Sequence, residues 1–152
     1  MGKGQGLDIV KLTAHFDLAE FTRSNVAAAK GIDNTPPPDV SRRLWSVAGH
    51  MEMIRALLGH QINIHSGYRC KALNDAVGGV SNSAHMSGYA VDFTCPEYGS
   101  PYKVARDLAG SPSVSFDQLI CEGTWIHISF DPKMRRELFT LQGGQYRKGI
   151  LK

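Results

Sequence analysis

Cysteine is scarce in this chain: three in 152 residues, Cys70, Cys95 and Cys121. None belongs to a Cys-x-x-Cys pair, and the odd count with wide spacing excludes a disulfide framework and a structural zinc knot. These read as core thiols of a chain made in a reducing cytoplasm. Long apolar runs are also missing, since a membrane-spanning helix needs about 20 such residues and no stretch comes close. The opening "MGKGQGLDIVKLTAHFDLAEF" holds neither the apolar segment nor the cleavage site of a secretory signal. Clustered positive charge is absent too. Seventeen Lys and Arg against 14 Asp and Glu leave a net charge of +3 with no basic run, which argues against a nucleic-acid partner.

What remains, 42% hydrophobic and 20% charged, is the composition of an ordinary globular protein with enough chain for one core. The Gly-rich residues 1–14 read as an N-terminal tail and residues 15–152 as a single domain, expected to be a monomer. A short helix is expected near Asp17, followed by an irregular segment ending in Pro36, Pro37 and Pro38. From Asp39 the apolar residues Val40, Leu44, Val47, Met51, Ile54, Leu57 and Leu58 recur with the 3.6-residue period of a scaffold helix that stops at Gly59. Its His50 reads as a core-edge residue.

Beyond that helix the period shortens to two. "INIHS", "YAVDFTC", "FDQLICE" and "WIHISF" read as strands, with short helices in "CKALNDAV" and "SPYKVARDLAG". The basic tail from Asp131 is expected to pack loosely. The fold class is therefore α+β: N-terminal helices, then a small antiparallel sheet.

Gly123-Thr124 between two strands predicts a two-residue hairpin turn. Glu122 then faces Trp125, Ile120 faces His127, and Glu122, Trp125, His127 and Ser129 share one sheet face. Asp92 alternates with the core residues Val91 and Phe93, so it also points to the groove side. His85 arrives from the loop before that strand, among Ser81, Ser83 and Ser87. Two imidazoles and a carboxylate, with a fourth position open, form the ligand set of a catalytic rather than a structural zinc. Taken singly, each of these residues is more simply a packed or surface side chain, and Arg69 a surface charge. Their convergence carries the reading.

The blocks "SGYR", "SAHMSGYAVD" and "WIH" stand in the order S-x-Y-R, S-x-H-x-x-G-x-A-x-D, W-x-H. In this the chain resembles the zinc D-Ala-D-Ala carboxypeptidase family of metallopeptidases, many encoded by phages and prophages. With "FTRSNVAAAKGIDNTPPPDV" upstream, the resemblance covers about residues 16–130 and implies the hedgehog/D-Ala-D-Ala peptidase-like fold. It implies that His85, Asp92 and His127 bind Zn2+, that Arg69 holds a substrate carboxylate, and that Ser83 contacts the substrate or orients the loop. It also implies a peptidoglycan stem peptide as substrate, and a small phage endolysin made in the cytoplasm and acting at the cell wall, as a holin-released or virion-associated enzyme.

The catalytic base does not transfer by position. Relatives carry an acid three residues before the last histidine, or a histidine two before it. Thr124 and Trp125 stand there instead. Glu122 is the candidate base, with Asp117 in reserve, and Trp125 joins Arg69 and Ser83 as a substrate contact. Two other readings compete. One is a non-catalytic zinc-containing module, as in hedgehog signalling domains, which resemble this family. The other is a cysteine hydrolase using Cys121 or Cys95, although Cys121 alternates onto the face opposite Glu122.

Overall fold

The structure, a computed structural model, describes residues 9–152. Residues 1–8 of the expected tail lie outside the described residues. Within the remainder of that tail, Lys11 bridges to Asp17 and Leu12 is buried in the core. Helix α1 (Leu18–Thr22) starts from a capping box between Asp17 and Glu20.

Helix α2 (Asn25–Lys30) occupies part of the segment expected to be irregular. Its ends are chemically explicit: the Ser24 side chain accepts from the Ala27 amide, and Gly31 closes it in the left-handed conformation. Six residues are too few for a periodicity to show.

The scaffold helix α3 (Pro38–Leu58) starts two residues earlier than the Asp39 cap suggests. Pro38 takes the first turn, where its missing N–H costs nothing, and Asp39 lies within that turn, complementing the helix dipole. Leu44, Val47, Met51 and Ile54 form its buried stripe. His50 stacks flat on Phe130 at 4.6 Å, half-buried at the core edge, and burial pushes its pKa down.

Strands β1 (Asn63–Ser66), β2 (Ala90–Thr94), β3 (Gln118–Cys121) and β4 (Ile126–Ser129) fall where the alternation places them, with α4 (Lys71–Ala76) and α5 (Pro101–Ala109) between. Val91 and Phe93 of β2, Ile126 and Ile128 of β4, and Leu119 and Cys121 of β3 all enter the cluster that holds the α3 stripe. Each large side chain removed from water there contributes about 1.5–3 kcal/mol. The opposite face of the same strands is left for chemistry.

The C-terminal segment corrects the expectation of a loose tail. It forms β5 (Glu137–Gln142) and β6 (Gln145–Lys148), joined by Gly143-Gly144 with φ of +57° and +75°. Two adjacent left-handed residues make the hairpin turn that suits twisted strands, and glycine adopts them without strain. β5 docks in parallel on β3, giving the order β1-β2-β4-β3-β5-β6. The fold is α+β, and its sheet is antiparallel except at β3–β5.

Candidate metal centre

Residue pairing on the free face of the sheet brings the candidate ligands together. Asp92 on β2 stands directly opposite His127 on β4, a relation that holds Cβ atoms about 4.5–5.5 Å apart. His127 Nδ1 lies 3.0 Å from Asp92 Oδ1. His85, from the loop between α4 and β2, places Nε2 3.2 Å from the same oxygen. One ligand atom from each residue falls within 4.8 Å of the others. The two rings meet edge to face, with centroids 5.1 Å apart.

The hydrogen bonds of His85 test whether this set suits a cation. Its Nδ1 lies 2.7 Å from the Gly67 carbonyl oxygen, an acceptor only, so Nδ1 carries the proton. His85 is 2% exposed, and burial lowers its pKa, favouring the neutral ring. Nε2 then presents a bare lone pair to a carboxylate oxygen. Burial opposes the charge on Asp92, but the hydrogen bond from His127 leads the influences that outweigh it and hold the carboxyl well below the usual range. A lone pair and an anion facing each other at hydrogen-bond distance are both satisfied by a metal ion. The donor set fits zinc, with the cleft side left open.

The loop carrying His85 is tied down at several points. The His85 amide donates to Ser83 Oγ at 3.2 Å, and its carbonyl accepts from the Arg69 amide at 3.0 Å. Gly88 turns with φ +82°, close enough to α3 that a Cβ would meet Val40 Cγ1 at 2.9 Å. Ser83 therefore orients the loop as well as lining the cleft.

The cleft has a volume of about 730 Å³ and is lined also by Arg69, Glu122, Trp125 and Tyr146. A smaller hollow bounded by His65, Thr94 and Thr124 continues on the other side of Trp125 and Asp92. Arg69 is half-buried, and its Nε has no hydrogen-bond partner. A buried donor left unmade costs about 1–3 kcal/mol, so an acceptor brought to this nitrogen would be favoured. The Glu122 amide donates to the Trp125 carbonyl at 3.0 Å, and Ile120 pairs with His127, the predicted register. Burial raises the pKa of Glu122, opposed by a hydrogen bond from the Tyr146 hydroxyl.

The family model described as Peptidase M15 matches residues 14–129. The chain belongs to the peptidase M15 family. No curated protein matches the chain. As an M15 peptidase it is a metallopeptidase, and the one group of side chains among its described residues that could hold a metal ion is His85, Asp92 and His127.

Other candidates fare differently in this M15 peptidase. Asp117 is clamped by Arg135, whose Nε and terminal nitrogen each donate at 2.8 Å while its amide donates at 3.0 Å. These bonds hold its carboxyl below the usual range and commit it to structure. Cys121 and Cys95 are buried in the hydrophobic cluster, away from any nucleophilic role.

Three contributors escape a reading by residue type. Gly67 acts through its carbonyl oxygen. Asn34, within "GIDNTPPP", donates to the carbonyls of Thr22 and Tyr68 and accepts from the Cys70 amide, bracketing Arg69. Tyr146 comes from the unexpected hairpin, where the Gly143-Gly144 pair following the β-prone "LFTL" was the available signal.

Proposed function

We propose that this chain is a zinc metallopeptidase that hydrolyses peptide bonds in peptidoglycan stem peptides, as a phage or prophage endolysin. The observation that carries the reading is the convergence of His85, Asp92 and His127 in a cleft that also holds an unpartnered arginine and a half-buried carboxylate. His85, Asp92 and His127 would hold the zinc, which would supply Lewis acidity toward a scissile carbonyl and a water molecule. Arg69 receives a carboxylate of the substrate through its planar fork of donors. Glu122 takes the proton of the attacking water and passes it to the leaving nitrogen, a role favoured by a pKa raised toward neutrality. Trp125, partly exposed at the cleft, offers an apolar face to the peptide, and Ser83 keeps His85 in place.

The stem peptide as substrate, and the endolysin role at the wall, rest on the resemblance of the three motif blocks to phage-type members. A mildly basic chain is also attracted to an anionic polymer, weakly in salt. The test is digestion of defined muropeptides by the zinc-loaded protein, with fragments read by mass spectrometry. Release that stops with chelator and with Glu122→Gln supports the reading, and the fragment masses identify the bond. Binding to wall without any fragment, by protein that carries its metal, would establish the non-catalytic module instead.

A further inference from the structure

The carboxylate of Glu122 accepts a hydrogen bond from the Tyr146 hydroxyl, at 3.1 Å to Oε2 and 3.4 Å to Oε1. The two residues are not on neighbouring strands. Cys121 pairs with Thr140 and Leu141 with Tyr146, so continuing the register by one residue sets Glu122, Leu141 and Tyr146 in one row on the cleft face. Two strand spacings separate the ends of that row, about 10 Å. The tyrosine must therefore lie over β5 to reach the carboxylate.

Nothing in packing demands this. Tyr146 is 59% exposed, and an exposed phenol is free to point at water. Its face, by contrast, is fixed by the Gly143-Gly144 turn, which sets Gln142 against Gln145. A slip of one residue would turn Tyr146 to the far side of the sheet. The hairpin also lies beyond residues 14–129, the part matched by the family model.

We propose that Tyr146 is a positioning residue for Glu122, holding the carboxylate of the general base aimed into the cleft from a hairpin outside the family match. This rests on Glu122 being the base. Without the bond, Glu122 sits on a Gly-containing turn with several rotamers open to it, and the productive one must be found at each turnover. Substrate binding, carried by Arg69 and the cleft, is untouched.

The experiment measures kcat and KM of the full-length, zinc-loaded protein on a defined muropeptide for wild type, Tyr146→Phe, Glu122→Gln and the double variant. Phenylalanine keeps the exposed ring and removes only the hydroxyl. Expected are a fall of about tenfold in kcat for Tyr146→Phe, KM and bound zinc unchanged, and no further loss when it is added to Glu122→Gln. A wild-type kcat in Tyr146→Phe, a change confined to KM, or a full additional loss in the double variant overturns the proposal. Full turnover by Glu122→Gln overturns the base assignment itself and this proposal with it.

Discussion

His85 Nδ1 and the Gly67 carbonyl oxygen, 18 residues apart, are joined at 2.7 Å. The bond fixes which nitrogen of His85 faces Asp92, and such partners behind a ligand typically govern metal affinity by about 10- to 100-fold. Gly67 itself is pressed against α1, where an added Cβ would sit 2.5 Å from the Phe21 carbonyl oxygen. That oxygen already accepts from the Tyr68 amide at 2.7 Å. The glycine of "SGYR" thus lets two backbones touch while its carbonyl orients the His85 ring.

Gly67→Ala is expected to destabilise the protein by about 1–3 kcal/mol, because backbone atoms cannot step aside. Zinc affinity should fall with it as the Gly67 carbonyl moves. Gly49→Ala is the control: it lies inside α3 with nothing within 4 Å of a new Cβ, and should add about 0.5–1 kcal/mol. Chemical denaturation and a zinc titration check both. Unchanged zinc affinity in Gly67→Ala would show that the carbonyl has no hold on His85.

Metal removal should weaken the whole fold. The three ligands come from a loop and two strands, so an ion held at 100 times its Kd adds about 2.7 kcal/mol of stability. Purified protein should carry one zinc per chain, and chelation should lower Tm. His127→Ala and Asp92→Asn should abolish both the bound zinc and the chelator effect. A Tm indifferent to chelator in a protein shown to have lost its metal would refute the coupling.

Arg69 should act on binding. Losing a charge-assisted hydrogen-bonding partner costs about 1.5–3 kcal/mol, or roughly 10- to 100-fold. Arg69→Ala should therefore raise KM by that factor with zinc content intact. Arg69→Lys should recover only part of it, because an ammonium cannot make the two-pronged contact. An unchanged KM for Arg69→Ala on a substrate with a free carboxylate excludes the clamp.

The Asp117–Arg135 pair gives the fold a pH dependence. Asp117 is held below its ordinary carboxylate pKa, first by the Arg135 hydrogen bond. A depressed folded-state pKa contributes stability that is complete above the unfolded value of about 3.9 and lost as pH falls through the folded one. Arg135 is 44% exposed, so solvent screens the pair and keeps its contribution modest. Asp117→Asn should destabilise the protein near neutral pH, and the gap to wild type should close progressively as pH falls below the unfolded value of about 3.9. A gap that stays constant across this range would contradict the linkage.

Strands β1 to β4 and the outward faces of Asp92 and His127 were readable because each rests on local alternation, and because Gly123-Thr124 fixes which residues share a face. Position 92 could point only away from the core once Val91 and Phe93 were assigned to it. Helix α2 escaped because Asn25–Lys30 is shorter than two turns, although Ser24 and Gly31 marked both ends. The β5–β6 hairpin was hidden because "ELFTLQ" breaks the two-residue period at Leu138-Phe139, and its parallel docking on β3 is a long-range pairing that local pattern does not reveal. Asn34 and the Gly67 carbonyl were invisible for another reason. One is a lone amide in a proline-rich loop, and the other is a backbone atom that every residue possesses.

Strand β6 forms one margin of an open sheet, and its row of outward amides and carbonyls could template a strand from another molecule. Gln145, Tyr146, Arg147 and Lys148 are all exposed there. The strand is only four residues long, and two adjacent cations sit at its end, so an approaching copy meets like charge before it finds register. The same short, charged border that carries the tyrosine is thus a poor template for edge-to-edge growth.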